Sequence, residues 1–418
     1  MLKLLVKGAK PLRGEISISG AKNAALPILA ATIMLPGRSV IRNVPNLLDV
    51  TTIVRVLRAL GIRAEYSQSS HNTVNIWNYQ VRHVAPYELV TKMRASFFVI
   101  GPILAVKGLA KIPLPGGCAI GSRPVDIHIK GLEALGAQVE LEHGFVIAKA
   151  AKLRGAKVYF DFPSVGATET VMMAAALAEG ETTIGNAARE PEITDLANFL
   201  IKAGAKIEGA GTELIRIEGV AKLNPVDYAI IPDRIEAGTM MLAAAITKGS
   251  LKLNHVVPEH LESTTRKLLE TGVRVEPDGD SITVVNDDGF KAVDVKTQPY
   301  PGFPTDMQPQ FTALLSLANG TSVVSESVFE NRFMHLPELR RMGADIKLEG
   351  QSAIINGVGK LSGAPVRVTD LRAGAALLLA GLAAEGETLI EDRDHHLNRG
   401  YEKIIEKFNA VGADIRKA

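Results

Sequence analysis

Leu57-Arg-Ala-Leu-Gly61 leads into a strand-like run. Variants of it recur as Leu132-Glu-Ala-Leu-Gly136, Leu200-Ile-Lys-Ala-Gly204, Leu268-Leu-Glu-Thr-Gly272, Leu339-Arg-Arg-Met-Gly343 and Phe408-Asn-Ala-Val-Gly412. The glycines are spaced by 75, 68, 68, 71 and 69 residues. Each stands where a helix would stop in the left-handed conformation that costs glycine little. A second series of segments, apolar and often Ala-rich, ends at Gly37, Gly108, Gly180, Gly249, Gly320 and Gly386. These glycines lead the first series by 24, 28, 24, 23, 23 and 26 residues. Six pairings in register mean a unit of roughly seventy residues repeated six times.

The two helix types differ in polarity. Gly374-Ala-Ala-Leu-Leu-Leu-Ala-Gly-Leu-Ala-Ala384 and Met240-Met-Leu-Ala-Ala-Ala-Ile246 are apolar all round and must be buried on every side. Ser263-Thr-Thr-Arg-Lys-Leu-Leu-Glu270 is amphipathic and suits a surface. Period-two runs such as Ser281-Ile-Thr-Val-Val285 follow both types. The expected class is therefore α/β, with Ala-rich helices inside and sheets around them. A single solenoid would bury its inner helices less completely than two domains of three units each. Leu223-Asn-Pro-Val-Asp-Tyr-Ala-Ile-Ile-Pro232, with its two prolines, is the expected crossover.

The 418 residues are 46% hydrophobic and 22% charged, which excludes a disordered chain. With 47 basic and 45 acidic residues, the net charge of +2 gives no support to a nucleic-acid or membrane-surface partner. The longest nearly apolar runs, 95–106 and 373–384, are far too short to span a bilayer. Met1-Leu-Lys-Leu-Leu-Val-Lys-Gly8 lacks a signal-peptide pattern, and Cys118 is the lone cysteine. A cytoplasmic protein without an internal disulfide is expected.

The apolar helices open with polar residues: Ser19-Gly-Ala-Lys22-Asn23, Lys92-Met-Arg94-Ala-Ser96, Ser164-Val-Gly166, Asp233-Arg234, Thr305-Asp306 and Asp370-Leu-Arg372. Ser164 and Asp370 read first as helix caps. A cap does not need Lys22, Arg94, Arg234 or Arg372 beside it. Cations near the free N–H groups of a helix start make an anion site. If the inner helices aim their starts one way, such sites converge on one cleft, whose ligand carries phosphates or carboxylates.

Pro113-Leu-Pro-Gly-Gly-Cys118-Ala-Ile-Gly-Ser-Arg123-Pro124 excludes helix and regular central strand. A lone cysteine is ordinarily an inert small hydrophobe. Here glycines would leave the sulfur uncovered and Arg123 would favour the thiolate. The nine histidines form no ligand spacing, and His395-His396 reads as a polar loop. Neither a nucleotide phosphate loop nor the dinucleotide fingerprint is present.

At these residues the sequence closely resembles the UDP-N-acetylglucosamine enolpyruvyl transferases and, more distantly, the shikimate-pathway enolpyruvyl transferases. The resemblance spans the chain. Its landmarks are Ser19-Gly-Ala-Lys-Asn23, Met93-Arg-Ala-Ser96, Leu114-Pro-Gly-Gly-Cys-Ala-Ile-Gly-Ser-Arg-Pro-Val-Asp126, Ser164-Val-Gly-Ala-Thr168, Ala188-Arg-Glu-Pro-Glu192, Phe303-Pro-Thr-Asp306, Phe329-Glu-Asn-Arg-Phe-Met334, Asp370-Leu-Arg-Ala-Gly374 and Arg399-Gly-Tyr-Glu402. It implies an EPSP synthase-like fold of two inside-out, barrel-like α/β domains. One would be discontinuous, residues 1–21 plus 230–418, and the other 22–229 with the Cys118 loop, the active site lying in the cleft between them.

The resemblance also implies transfer of the enolpyruvyl group of phosphoenolpyruvate to the 3-hydroxyl of UDP-N-acetylglucosamine, with release of phosphate, as the first committed step towards peptidoglycan. Lys22, Asn23, Arg123, Arg372 and Arg399 would bind phosphoenolpyruvate. Asn23, Arg94, Arg123, Pro124, Val125, Asp126, Ile127, Ser164, Val165, Gly166, Asp306 and Val328 would bind the sugar nucleotide, with Arg332 and Asp370 completing the cleft. Asp306 is the implied base and Cys118 the implied acid, with Lys22 and Arg399 assisting. No metal or other cofactor is expected, and fosfomycin, an epoxide phosphonate, is the expected covalent inhibitor at Cys118.

Two positions depart from the family pattern. Phe162 falls in a run where many relatives carry a lysine, and Asn398 replaces the usual Asp before Arg-Gly-Tyr-Glu. The alternatives are the shikimate-pathway reaction and a non-catalytic sugar-nucleotide-binding paralogue. The Cys118 loop opposes the first. The joint presence of Lys22, Cys118, Asp306 and Arg399 opposes the second.

Overall fold

The computed structural model describes residues 2–67, 72–115 and 125–418. They divide into two compact units. An end-carrying unit holds residues 2–19 and 232–418; a middle unit holds the described residues from 20 to 231.

The Leu-x-x-x-Gly series acts as a helix stop. Outer helices such as Leu48–Ala59, Pro191–Lys202 and Ile404–Ala410 run into the motif and end two residues before its glycine. All six glycines have φ between 90° and 106°. The first residue of each motif is fully buried: Leu57, Leu132, Leu200, Leu268, Leu339 and Phe408. In five of the six its carbonyl accepts a bond from the N–H just past the glycine, as in Ile62 to Leu57 at 3.0 Å and Ala205 to Leu200 at 2.9 Å. This is the Schellman closure, which turns the chain into the next strand. In the second series Gly249 lacks a positive φ, and Lys248 takes it instead at 53°.

The inner helices are Lys22–Ala31, Ile100–Lys107 and Val165–Ala175 in the middle unit, and Arg234–Ile246, Gln308–Leu315 and Leu371–Ala383 in the end-carrying unit. They are buried along most of their length, and the last three pack against one another. Leu377, Leu378, Leu379 and Leu382 are at most 2% exposed, each worth roughly 1.5–3 kcal/mol of burial. The Ser164 and Asp370 caps form as expected, and Asp233 makes a third. No helix among the described residues is long and apolar enough to cross a membrane.

Among the described residues the strands form six sheets, five of four strands and one of three. In a typical repeat a short strand, an inner helix and a parallel strand follow one another, as with Lys157–Tyr159 and Glu181–Gly185. A hairpin beyond the outer helix then adds two antiparallel strands. Two sheets take their edge strand from a different repeat. Arg13–Ser17 joins Ser250–Asn254, and Asp227–Ala229 joins Gly37–Arg42. In the last sheet the hairpin strand is replaced by the chain start, Leu2–Lys7, between Glu387–Asp392 and Asp414–Lys417. Among the described residues no sheet closes on itself, so the units are open sheets around helices rather than closed barrels.

After the hairpin the chain passes under the end of the inner helix. A Cβ on Gly357 would lie 1.6 Å from the Ala318 carbonyl oxygen, and one on Gly219 would lie 1.7 Å from that of Ala178. Gly350, at the same hairpin's tip, has φ +58° and nothing within 4 Å. Gly357→Ala should therefore cost roughly 3 kcal/mol or more, and Gly350→Ala about 1 kcal/mol. Denaturant midpoints that fall equally in the two variants would contradict this packing.

Candidate active site

In the end-carrying unit the starts of the three inner helices meet. Asp306 stands on the turn Thr305–Met307, just ahead of Gln308–Leu315. Its carboxylate accepts from Arg332 Nη2 at 2.8 Å on one oxygen and from Arg372 Nη2 at 2.9 Å on the other. The two arginines are only 2% and 3% exposed. Charge-assisted bonds of this kind are short and strong, and removing one member of a buried pair leaves an uncompensated charge. Arg372 lies two residues past its helix cap, Asp370, and 5.4 Å from the Tyr401 ring. Burial opposes its charge, but Asp306, Tyr401 and Asp233 outweigh burial and raise its pKa above the ordinary arginine value. Arg372 Nη1 is buried and finds no hydrogen-bond partner among the described residues. A buried donor in that condition suits an anionic ligand.

Behind the arginines lies a polar net absent from the sequence reading. Tyr401 Oη is 3.1 Å from Thr239 Oγ1, and Gln310 Nε2 donates to Tyr401 Oη at 3.0 Å. Arg399, half-buried, sits on the short helix His396–Gly400, which packs on Leu371–Ala383. Asp392 anchors that helix by accepting from the N–H groups of His396 and Leu397, both at 2.9 Å. Asn398 is exposed, so the carboxylate that fixes this turn is Asp392. Val328 donates its N–H to Glu326 at 2.8 Å.

In the middle unit Lys22 opens its helix and pairs with Asp49 at 3.2 Å, both side chains largely buried. Asn23 follows it, half-buried. Arg94 begins the short helix Arg94–Val99, which touches both the Lys22 and the Val165 helices. Val125, Asp126 and Ile127 start the helix Asp126–Ala134. A Cβ on Gly166 would come within 3.0 Å of His128 and Phe98, so Ser164, Val165 and Gly166 press against that helix. Arg94, 125–127 and 164–166 are thus brought together around His128. Phe162 is 41% exposed. Cys118, Arg123 and Pro124 lie outside the described residues.

Each unit buries a neutral histidine beside these groups. Burial, with Arg94 adding, lowers the His128 pKa to about 3, and its Nδ1 lies 2.9 Å from Thr170 Oγ1. Burial also lowers that of His335; Arg332 adds to the effect and Asp370 opposes it. An unfolded histidine takes up a proton near pH 6.5 and these two do not, so their contribution is whole above about 6.5 and is lost as pH falls towards the folded values. Stability should therefore fall between about pH 6.5 and 4, and less steeply in His335→Gln. Parallel pH profiles in urea denaturation would rule that out.

A family model described as EPSP synthase (3-phosphoshikimate 1-carboxyvinyltransferase) matches residues 6–408. UDP-N-acetylglucosamine 1-carboxyvinyltransferase 1 of Caldanaerobacter subterraneus is 54% identical over 414 residues, 99% of each chain. The enzyme of that name from Geobacter metallireducens is 54% identical over 100% of this chain and 99% of its own. Among solved structures, the enolpyruvyl transferase NikO from Streptomyces tendae matches with a TM-score of 0.89 at 27% identity, covering 100% of this chain and 99% of its own. EPSP synthase from Acinetobacter baumannii, at 17% identity and a TM-score of 0.77 over 100% of both chains, shares the fold. The repeat, the open sheets and these full-length similarities agree: the chain belongs to the UDP-N-acetylglucosamine 1-carboxyvinyltransferase family of EPSP synthase-like proteins.

Proposed function

We propose that this protein is a transferase that moves the enolpyruvyl group of phosphoenolpyruvate onto the 3-hydroxyl of UDP-N-acetylglucosamine, the step that commits the sugar nucleotide to peptidoglycan. The reading is carried by full-length identity of 54% to relatives bearing that activity's name. The Arg332–Asp306–Arg372 array supports it, because the reaction needs fixed cations for its anionic groups and a carboxylate to take a proton.

In this scheme the sugar oxygen bonds to C2 of phosphoenolpyruvate as its hydroxyl proton passes to Asp306. A proton arrives at the methylene carbon from Cys118. The tetrahedral adduct then loses phosphate and a methyl proton, restoring the double bond. Lys22, Asn23, Arg123, Arg372 and Arg399 hold the phosphate and carboxylate. Such cations stabilise developing charge without reorganising. Arg94, 123–127, 164–166 and Val328 hold the sugar nucleotide, and Asp370 supports Arg372 as its helix cap. A cytoplasmic setting fits the substrates.

Phosphate should appear only when phosphoenolpyruvate and UDP-N-acetylglucosamine are both present; release with shikimate 3-phosphate instead would transfer the chain to the other reaction. Asp306→Asn keeps an acceptor for one arginine and removes the base, so kcat should fall by about 10²–10⁴. A steady-state assay showing near-normal turnover in that variant would remove Asp306 from the proton path. Cys118→Ser should be nearly inactive and Cys118→Asp partly active, since a carboxyl still donates a proton. Fosfomycin should add covalently to Cys118, and a peptide mass unchanged after treatment would count against an activated thiol there.

A further inference from the structure

Glu326 follows the strand Thr321–Ser325 and is 2% exposed. Four protein donors converge on its carboxylate. One oxygen accepts from the Thr297 hydroxyl at 2.7 Å, the Val328 N–H at 2.8 Å and the Phe329 N–H at 3.3 Å. The other accepts from the Thr305 hydroxyl at 2.9 Å. A carboxylate can accept at both oxygens, here three donors on one and one on the other, whereas an amide would turn its NH₂ towards one of these sets.

The two segments joined here matter. Val328 lies in the stretch assigned to the sugar nucleotide, and Thr305 precedes Asp306, the assigned base. Six residues beyond Glu326, Arg332 reaches Asp306 directly. The segment 326–332 therefore grips the Asp306 turn twice, once by a guanidinium and once through Thr305. A carboxylate that merely closed its own turn would need the Val328 and Phe329 bonds and not the bond to Thr305.

We propose that Glu326 is a positioning residue for the reaction: one oxygen sets the backbone at Val328 and Phe329, and the other sets Asp306 through the Thr305 hydroxyl. This rests on the transferase reading above. Misplacing a reacting group by an ångström is enough to lower rate by up to about 100-fold.

Thr305→Val removes only the arm to Asp306 at nearly constant volume. It should lower kcat by about 10- to 100-fold, leave KM for UDP-N-acetylglucosamine within about twofold, and keep the melting temperature close to that of the parent protein. Thr305→Ser, which restores the hydroxyl, should recover most of the loss. Glu326→Gln disturbs both arms and should lower kcat while raising that KM; it carries the test if Thr305→Val does not fold. An unchanged kcat in the folded Thr305→Val protein overturns the proposal, and so does a loss in Thr305→Ser as large as in Thr305→Val. A parent protein that releases no phosphate from the two substrates overturns the transferase reading and this proposal with it, so the two failures are told apart by the parent's own activity.

Discussion

A helix that is apolar on every face has no stable place except inside protein. Among the described residues six helices, apolar or nearly so, are buried along most of their length, and enclosing them organises each unit. Sheets and outer helices cover their sides, so polar groups are left at the ends. The helix starts carry free N–H groups, caps and cations. Asp306, Arg372, Lys22 and Ser164 all stand at such starts. The burial that stabilises the core thus also selects where anion-binding chemistry can be built.

The clearest case is Asp306 between two buried guanidinium groups. Arg332 and Arg372 could not be placed there without a counter-charge. The carboxylate that both of them grip is the one proposed to take the substrate proton, so stability and reactivity meet in one side chain. Arg372 keeps a buried N–H group unpartnered among the described residues while its neighbour on the same guanidinium is engaged. Asp370 holds the helix start on which that guanidinium stands. Glu326 and Tyr401 stand behind the array, and their partners come from distant parts of the chain.

Topology explains why one unit carries both chain ends. The last repeat has its inner helix, outer helix and final strand, but the strand between is supplied by Leu2–Lys7. Arg13–Ser17 then completes the edge of another sheet of that unit, and Asp227–Ala229 does the same in the middle unit. Even where residues alternate along a strand, alternation says only which face is buried and not which strand lies alongside.

The sequence by itself determined the repeat, the helix stops and the two helix classes, because each rests on contacts a few residues apart. The Schellman bond from Ala344 to Leu339 spans five residues, and a glycine at 343 is enough to permit it. It also made the candidate residues legible as types, since a cation beside a helix start has a local meaning. Only the tertiary structure decided their partners. Asp306 meets Arg372 across 66 residues, His128 meets Thr170 across 42, and Gln310 meets Tyr401 across 91. The reason is physical: a buried charge or hydroxyl is satisfied by whatever the packed helices bring within 3 Å, and that neighbour is chosen by the fold as a whole.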